Sequence, residues 1–232
     1  MTWTLATLSE PGSRPVQQDR WGDAAAAGVR CYALADGLGG HGGGELAAHL
    51  AIAAMLAGFA ADPAAAPAAL LEAANQAIAA AQKEHEMQRQ MRSTGVLLCL
   101  EENRARWAHV GDSRLYAFAG TAIVAQTKDH SVPQALVDAG ELAAEQLRYH
   151  EDRNRLVRSL GSDGPCRPTA GELTNGEGFL LASDGFWEGV LEATMVAAWT
   201  STTTAAGWLE QMAAGLAEPA DNYTALSIRR VP

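Results

Sequence analysis

Residues 29–47 read VRCYALADGLGGHGGGELA. The apolar run over 29–35 has the length and composition of a buried strand, and it ends in Asp36-Gly37, a pair typical of a tight turn. After the glycines, residues 45–59 are rich in alanine, which predicts a helix packed closely against another element. The segment therefore predicts a strand, a turn that carries a carboxylate, and a helix, in that order.

The composition is that of an acidic globular protein. The 232 residues hold 17 Lys plus Arg and 27 Asp plus Glu, a net charge of −10 with histidine neutral. Such a surface repels phosphate backbones, so we expect no nucleic-acid partner. Hydrophobic residues make up 48% of the chain and charged residues 19%, which suits one packed domain over 1–232.

Localisation signals are weak. The three cysteines, Cys31, Cys99 and Cys166, are far apart, which argues against a zinc knuckle and a disulfide framework. The first residues lack the basic and apolar regions of a signal peptide. The longest apolar stretch, 46–61, is shorter than the ~20 residues of a membrane span. We therefore expect a cytoplasmic protein with no membrane partner.

The rest of the chain predicts strands in groups, with helices between and after them. The further strand-like runs are 95–100, 105–110, 115–118, 178–182 and 224–229. The predicted helices cover 68–90, 192–199 and 205–216, with two short helices over 133–147 that join near Gly140. This order favours an α+β fold with mostly antiparallel sheet.

Four aspartates stand beside apolar runs in distinctive words: Asp36 in DG, Asp112 in GDS, Asp184 in SDG and Asp221 in DN. The ends of strands in one sheet system can lie close together, and carboxylates brought together raise one another's pKa unless a cation lies between them. A ligand set made only of oxygen favours Mg²⁺ or Mn²⁺. Aspartate is also a common turn residue after a strand, which is the simpler interpretation at any single position.

A competing motif covers residues 37–42, which match the G-x-G-x-x-G pattern of dinucleotide-binding loops between a predicted strand and a predicted helix. Asp62 even lies where a ribose partner would be expected. However, Asp36 would stand beside the pyrophosphate with no metal to neutralise it. Strands and helices also do not alternate as a doubly wound sheet requires, so we rank this interpretation far below a metal site.

Eight short sequence motifs follow one another along nearly the whole chain. They are Arg14-Pro-Val-Gln-Gln-Asp19, ALADGLGGHGGGELA at 33–47, Ser93-Thr94-Gly95, HVGDSRLY at 109–116, KDHS at 128–131, NRLVRSLG at 154–161, LLASDGFWE at 180–188 and Asp221-Asn222-Tyr-Thr224. Together they resemble the metal-dependent serine/threonine protein phosphatases of the type 2C (PPM) class, in their compact bacterial form. The resemblance implies an α-β-β-α four-layer sandwich, with two antiparallel sheets flanked by helix pairs.

The resemblance also implies two divalent ions, Mn²⁺ or Mg²⁺, at one end of the sandwich. In this comparison Asp36 bridges both ions, the carbonyl of Gly37 holds one of them, and Asp184 and Asp221 hold the other. Asp112 matches an aspartate that joins Asp184 on a weaker third ion in bacterial relatives.

The residues around the ions acquire roles from the same resemblance. Arg14 matches the arginine that grips the substrate phosphate while a metal-activated water attacks phosphorus. His41 is the best-placed proton donor for the leaving alkoxide, because histidine titrates near the working pH, although a lone histidine is as often structural. Gln18, next to Asp19, stands where the family often has an acidic residue that contacts metal-bound water. Gln17 replaces a usual asparagine.

Residues 132–153 correspond to the family's flap, a variable surface beside the site. In and just after the flap lies a basic cluster, composed of Arg148, His150, Arg153 and Arg155. This cluster can guide an acidic phosphorylated partner, while an ordinary solvated helix face is an equally good interpretation. Glu188 matches a position that is acidic in some members and can touch the third ion.

The expected activity is hydrolysis of phosphoserine and phosphothreonine on proteins by a monomer that opposes a bacterial serine/threonine kinase. The alternative is a phosphoprotein-binding regulatory module of the same fold with weak turnover. Intact Asp36, Asp184 and Asp221 argue against that alternative.

Overall fold

The structure is a computed structural model that describes residues 2–39, 43–84, 89–217 and 221–231. Its strands are β1 (Trp3–Glu10), β2 (Arg20–Ala26), β3 (Val29–Ala35), β4 (Gly37–Leu38), β5 (Arg92–Ser93), β6 (Gly95–Leu100), β7 (Arg104–Val110), β8 (Arg114–Ala119), β9 (Ala122–Gln126), β10 (Thr169–Thr174), β11 (Gly178–Ala182) and β12 (Tyr223–Arg230). Its α-helices are α1 (Gly43–Ala61), α2 (Pro67–Glu84), α3 (Val132–Asp138), α4 (Asp184–Trp187), α5 (Glu192–Ser201) and α6 (Ala205–Ala213), and a 3-10 helix covers Ala144–Tyr149.

Two five-stranded sheets form the centre of the molecule. Sheet 1 has the order β1-β12-β11-β8-β9, and sheet 2 has the order β10-β7-β6-β3-β2. Every strand pair within the described residues is antiparallel. The parallel sheet that a dinucleotide-binding loop over 37–42 would require is therefore not found in this part of the chain.

The core has three layers of contact. Large side chains of both sheets meet between them, among them Tyr32, Leu98, Phe179 and Leu226. α1 and α2 pack on the outer face of sheet 2, and α5 and α6 pack against strands of sheet 1. The predicted α-β-β-α sandwich, with its two helix pairs, is confirmed.

α1 shows why the alanine-rich stretch forms a packed helix. By length and hydropathy this helix could cross a membrane. Its buried side chains include Ala47, Ala51, Met55 and Phe59, which recur at the spacing of one helix face. That face packs against sheet 2 and α2, as the core helix of a globular protein does.

Six strands were not predicted from the sequence, and two predicted helices are longer than the observed ones. The strands are β1, β2, β9 and β10, which are the edges of the two large sheets, and the two-residue strands β4 and β5, which pair with each other. α6 ends at Ala213 rather than at residue 216. α2 covers Pro67–Glu84; residues 85–88 of the predicted helix lie outside the described residues, and Arg89 and Gln90 form a turn rather than its last residues.

Candidate metal and phosphate site

The four predicted aspartates lie at one end of the two sheets. Asp36 follows β3, Asp112 connects β7 to β8, Asp184 begins α4 directly after β11, and Asp221 precedes β12. Asp19, immediately before β2, lies at the same end. We call these five residues the acidic end. Both sheets contribute to it, as the sequence prediction of convergence requires.

The carboxylates of the acidic end act on one another electrostatically. Burial, and then the charges of Asp19, Asp184, Asp112 and Asp221, raise the pKa of Asp36 well above its usual range. Burial, followed by Asp112 and other carboxylates, has the same effect on the pKa of Asp184. Burial, followed by the charge of Asp129, raises the pKa of Asp112 to about 7. Such shifts arise where several carboxylates are buried close together, an arrangement that a bound cation would stabilise.

Two oxygens of the acidic end lack a donor. Asp19 Oδ1 and Asp112 Oδ1 are buried and have no hydrogen-bond partner among the residues described. The other oxygen of Asp19 accepts from Ser183 Oγ at 2.8 Å. A buried carboxylate oxygen without a partner is costly, and a hard divalent cation or its water shell would satisfy it. The all-oxygen donor set fits Mn²⁺ or Mg²⁺.

Arg14 forms an ion pair with Asp221, one of the predicted metal ligands. Its Nη2 donates to Asp221 Oδ2 at 2.7 Å, and both side chains are partly exposed. Within the described ranges, no three His, Cys, Asp or Glu side chains are grouped as ligands of one ion. A cation that used Asp221 would therefore compete with Arg14 for its carboxylate.

The Ser93-Thr94 pair belongs to one of the motifs found in the sequence, and its role is to fix the backbone of Asp36. Thr94 N and Ser93 Oγ donate to the Asp36 carbonyl at 2.8 and 2.9 Å. The Asp36 N–H donates to Thr94 Oγ1 at 2.9 Å, and Thr94 Oγ1 shares a 2.7 Å hydrogen bond with Ser113 Oγ. Residues from sheet 2 and from the turn after Asp112 are thus held together.

Close backbone approach demands glycine at two positions. A Cβ on Gly37 would lie 2.1 Å from the carbonyl oxygen of Gly44, where α1 begins. A Cβ on Gly185 would lie 2.1 Å from the carbonyl oxygen of Asn222. Any larger residue would separate these segments, so the glycine after Asp36 and the glycine after Asp184 are needed for the geometry of the site.

Asn222 attaches the Arg14 loop to the acidic end. Its Nδ2 donates to the carbonyls of Pro11 and Val16 at 2.9 and 3.0 Å, and its Oδ1 accepts from Gln18 N at 2.8 Å. The side chain of Gln18 donates to the carbonyl of Gly39 at 3.4 Å. The neutral amide at this position therefore faces the start of the glycine-rich turn.

Two histidines support the turn that carries Asp112, a role that the sequence analysis did not assign. His130 Nδ1 accepts from Gly111 N at 3.1 Å, and His130 N donates to the Gly111 carbonyl at 2.9 Å. The ring of His109 stacks on that of His130, with centroids 4.5 Å apart. Burial lowers the pKa of His109 to about 3 and that of His130 to about 4, which keeps His130 Nδ1 able to accept.

The flap corrects the basic-cluster interpretation at one residue. The Arg148 side chain is only 9% exposed. It donates to both carboxylate oxygens of Glu192, at 2.9 and 2.8 Å, and to the carbonyls of Trp187 and Glu188. Arg148 therefore anchors the flap to the end of α4 and does not face a partner. Arg153 and Arg155 remain exposed.

A cleft of about 430 Å³ opens at the acidic end. We call it the arginine cleft, because Arg14 and Arg153 both line it. Its other lining residues are Asn154, Asp184, Gly185, Glu188, Gly189, Gly215, Leu216, Ala217 and Asp221. His41, the predicted proton donor, lies outside the described residues.

The sandwich and its acidic end together define the architecture of the type 2C phosphatases, in which the two sheets lie between helix pairs. A family model described as Protein phosphatase 2C matches residues 12–219. The chain belongs to this family, and the resemblance found in the sequence is confirmed.

Named relatives agree with this assignment. The chain is 35% identical over 181 residues to "Serine/threonine protein phosphatase PstP" of Mycobacterium tuberculosis, an alignment that covers 76% of this chain and 35% of PstP. It is 32% identical over 168 residues to "Protein phosphatase PhpP" of Streptococcus pneumoniae, with 68% of each chain covered. The chain thus matches about a third of the length of PstP and about two thirds of that of PhpP.

A solved structure extends the likeness to the whole described fold. The catalytic domain of PstP, in complex with 2 manganese ions, is 30% identical, with 99% of both chains covered and a TM-score of 0.81. The manganese ions belong to that protein. The agreement in fold supports the antiparallel sandwich described above.

Proposed function

We propose that this protein hydrolyses phosphoserine and phosphothreonine esters on proteins, with two divalent cations, Mn²⁺ or Mg²⁺, held at the acidic end. The observation that carries the proposal is the set of buried carboxylates with raised pKa values, contributed by both sheets. A relative that holds 2 manganese ions supports the metal requirement.

In this proposal Asp36, the Gly37 carbonyl, Asp184 and Asp221 would hold the two cations. Asp112 would join Asp184 in holding a weaker third. The bound cations would supply a water of lowered pKa as the nucleophile, since two-metal sites do this in hydrolytic enzymes. Ser93 and Thr94 keep the Asp36 backbone in place during the reaction.

Arg14 binds and orients the phosphoryl group. Its planar guanidinium can donate two parallel hydrogen bonds to phosphate oxygens, which fixes phosphorus for in-line attack. Asn222 holds the loop that carries Arg14 at the acidic end. We assign to His41 the proton that the leaving alkoxide requires. Gln18 and Asp19 complete the polar surroundings of the proposed nucleophile.

Phosphate release is the direct test. With Mn²⁺, the protein should release phosphate from p-nitrophenyl phosphate and from a phosphothreonine peptide, and excess EDTA should stop it. Asp36→Asn should abolish release, whereas the matched control Asp138→Asn, an exposed aspartate bonded to Lys128, should retain it. Turnover that survives full chelation would overturn the mechanism. Phosphopeptide binding without turnover would favour the regulatory-module alternative.

The remaining expectations are also proposals. We infer a single domain over 1–232 that acts as a cytoplasmic monomer on the targets of a serine/threonine kinase. The names of the bacterial relatives support the substrate class. Sedimentation equilibrium tests the monomeric state, and cell fractionation tests the cytoplasmic location. Dephosphorylation of proteins that a serine/threonine kinase from the same cell has phosphorylated tests the proposed substrates.

A further inference from the structure

We propose that Arg153 binds a second anionic group of the substrate, so that the enzyme prefers phosphopeptides with another negative charge near the phosphorylated residue. This inference rests on the proposed phosphatase function. It assigns a specificity-determining role to one member of the basic cluster, beside Arg14 as the residue that binds the phosphoryl group.

Arg153 and Arg14 line the same cleft, which also contains two of the proposed ligands, Asp184 and Asp221. The volume of about 430 Å³ is large enough for more than one residue of a substrate. A substrate whose phosphoryl group binds Arg14 would therefore place neighbouring residues in the cleft that Arg153 also lines.

The hydrogen-bond donors of Arg153 are mostly uncommitted. Its Nε lies 3.1 and 3.2 Å from the two carboxylate oxygens of Glu188. Among the described residues, neither Nη1 nor Nη2 makes a hydrogen bond, and the side chain is 41% exposed. A guanidinium has five N–H donors in a planar fork that fits a carboxylate or a phosphate. The outer edge of this fork is available to a ligand.

Arg14 shows the same arrangement, since its Nη2 donates to Asp221 while 56% of its side chain is exposed. Each arginine is thus held by one carboxylate and keeps other donors for an incoming group. Arg148, by contrast, directs both terminal nitrogens to Glu192 and to backbone carbonyls. Of the basic cluster in and after the flap, Arg153 is the member that lines the cleft.

Charge makes Arg153 selective. The cleft contains Asp184, Asp221 and Glu188, and the chain carries a net charge of −10. A second anionic group on the substrate would be repelled by these carboxylates unless a cation met it. Arg153 supplies that cation at the flap side of the cleft. Either an acidic side chain or a second phosphate presents the required oxygens.

The experiment compares three phosphothreonine peptides: one with neutral flanks, one with glutamate, and one with a second phosphothreonine. The glutamate or second phosphothreonine is moved one position at a time along both sides. The wild-type protein with Mn²⁺ should show a higher kcat/KM for an anionic peptide than for the neutral one, by about tenfold at the best position. Arg153→Ala should remove this preference, and Arg153→Lys should retain part of it.

Arg155→Ala is the matched control, because it removes the same charge two residues further along the chain. The Arg155 side chain is 71% exposed and does not line the cleft. This variant should keep the preference. Dissociation constants of the same peptides, measured by fluorescence anisotropy, give the ratio independently of turnover. The comparison of glutamate with the second phosphothreonine identifies which anion is bound.

The outcomes separate the two proposals. If the wild-type protein hydrolyses none of the peptides, the proposed function itself fails. If it hydrolyses all of them without preference, or if Arg153→Ala keeps the preference, only the role of Arg153 is overturned. An equal loss in Arg155→Ala would also overturn it, because the effect would then be one of general charge.

Discussion

Two charged regions lie next to each other, and they differ in whether their charges are balanced. At the acidic end, Asp36, Asp112 and Asp184 have raised pKa values. Beside it, Arg114 donates to both oxygens of Asp129 at 2.7 and 2.8 Å, with both side chains almost fully buried. The fold therefore neutralises buried charge where it can, and its failure to do so at the acidic end indicates a binding site.

Trp187 connects the balanced region to the acidic end. Its ring lies 3.4 Å from Arg114 Cζ and 5.5 Å from Arg148 Cζ, an arrangement that favours cation–π attraction on the desolvated Arg114 side. Its Nε1 donates to the Asp112 carbonyl at 3.0 Å. The balanced region, composed of Arg114, Asp129 and Trp187, thus holds the backbone of Asp112 at the acidic end. The balanced region has a structural role, whereas the acidic end carries the proposed chemistry.

Removing one charge from the acidic end should have the largest effect on activity. Asp184→Asn should lower phosphate release on the order of 10²–10³-fold or more, because it removes a proposed cation ligand. In EDTA the same variant should unfold at an equal or higher temperature than wild type, since it relieves repulsion among carboxylates. Parallel activity and thermal-unfolding measurements check both parts. Near-normal turnover at saturating Mn²⁺ would refute the assigned role.

Removing one charge from the balanced region should lower stability, whereas removing one from the acidic end should leave stability equal or higher. Asp129→Asn removes the carboxylate that pairs with buried Arg114 and leaves a longer ionic contact, 3.6 Å, between Arg114 Nη1 and Glu192. The variant should therefore lower the free energy of unfolding by about 3–5 kcal/mol. Urea titration measures this change. Asp152→Asn, which weakens the exposed pair with Arg155, is the control and should have little effect. Equal effects of the two variants would remove the distinction between the regions.

Asp112 contributes to the pH dependence of metal-free stability with the same sign as Asp36 and Asp184, whose pKa values are also raised. Its folded-state pKa of about 7 lies above the ~3.9 of an unfolded aspartate, so the folded protein binds more protons in this window and loses stability as pH rises through it. His109 and His130 have lowered pKa values and the opposite slope. The useful quantity is therefore the stability of Asp112→Asn minus that of wild type.

This difference should grow in favour of the variant between about pH 4 and pH 7, and it should level off above that range. Chemical denaturation in EDTA at a series of pH values provides the measurement. A difference that stays constant across the window would show that Asp112 does not titrate as its burial requires.

Removing an exposed ion pair should have the smallest effect. Lys128 Nζ lies 2.7 Å from Asp138 Oδ1, with side chains that are 73% and 50% exposed. Lys128→Ala should change the free energy of unfolding by less than about 0.5 kcal/mol, because water screens such pairs. A larger change in urea titration would indicate that surface pairs contribute more here than exposure predicts.

The sequence predicted the central strands of the sheets and missed their edges, for a physical reason. β6 and β11 are buried on both faces, so GVLLCL and GFLLA are continuous apolar runs. β9 and β10 have exposed positions along most of their length, and their residues do not differ enough from those of loops. Pairing with a neighbouring strand, which the sequence does not display, makes them strands.

The site divides in a similar way. Asp36, Asp112, Asp184 and Asp221 could be selected because each ends or begins an apolar run. The contacts of Arg148 could not be predicted, because its burial depends on how the flap meets α4. His109 and His130 were present in the quoted words, but their stacking joins distant parts of the chain. Local pattern predicts which residues carry the chemistry, whereas tertiary packing decides which ones support it.

The acidic end draws Asp36 and Asp19 from the margin of sheet 2 and Asp184 and Asp221 from that of sheet 1. Any ion shared between those margins would cross-link the two halves of the sandwich at one end only. Adding such an ion should therefore slow amide hydrogen exchange near Ala35, Ala182 and Tyr223. Exchange at the opposite end, near Trp3 and Gly178, should stay almost unchanged. Ion occupancy would then stiffen the molecule along a gradient from one pole to the other.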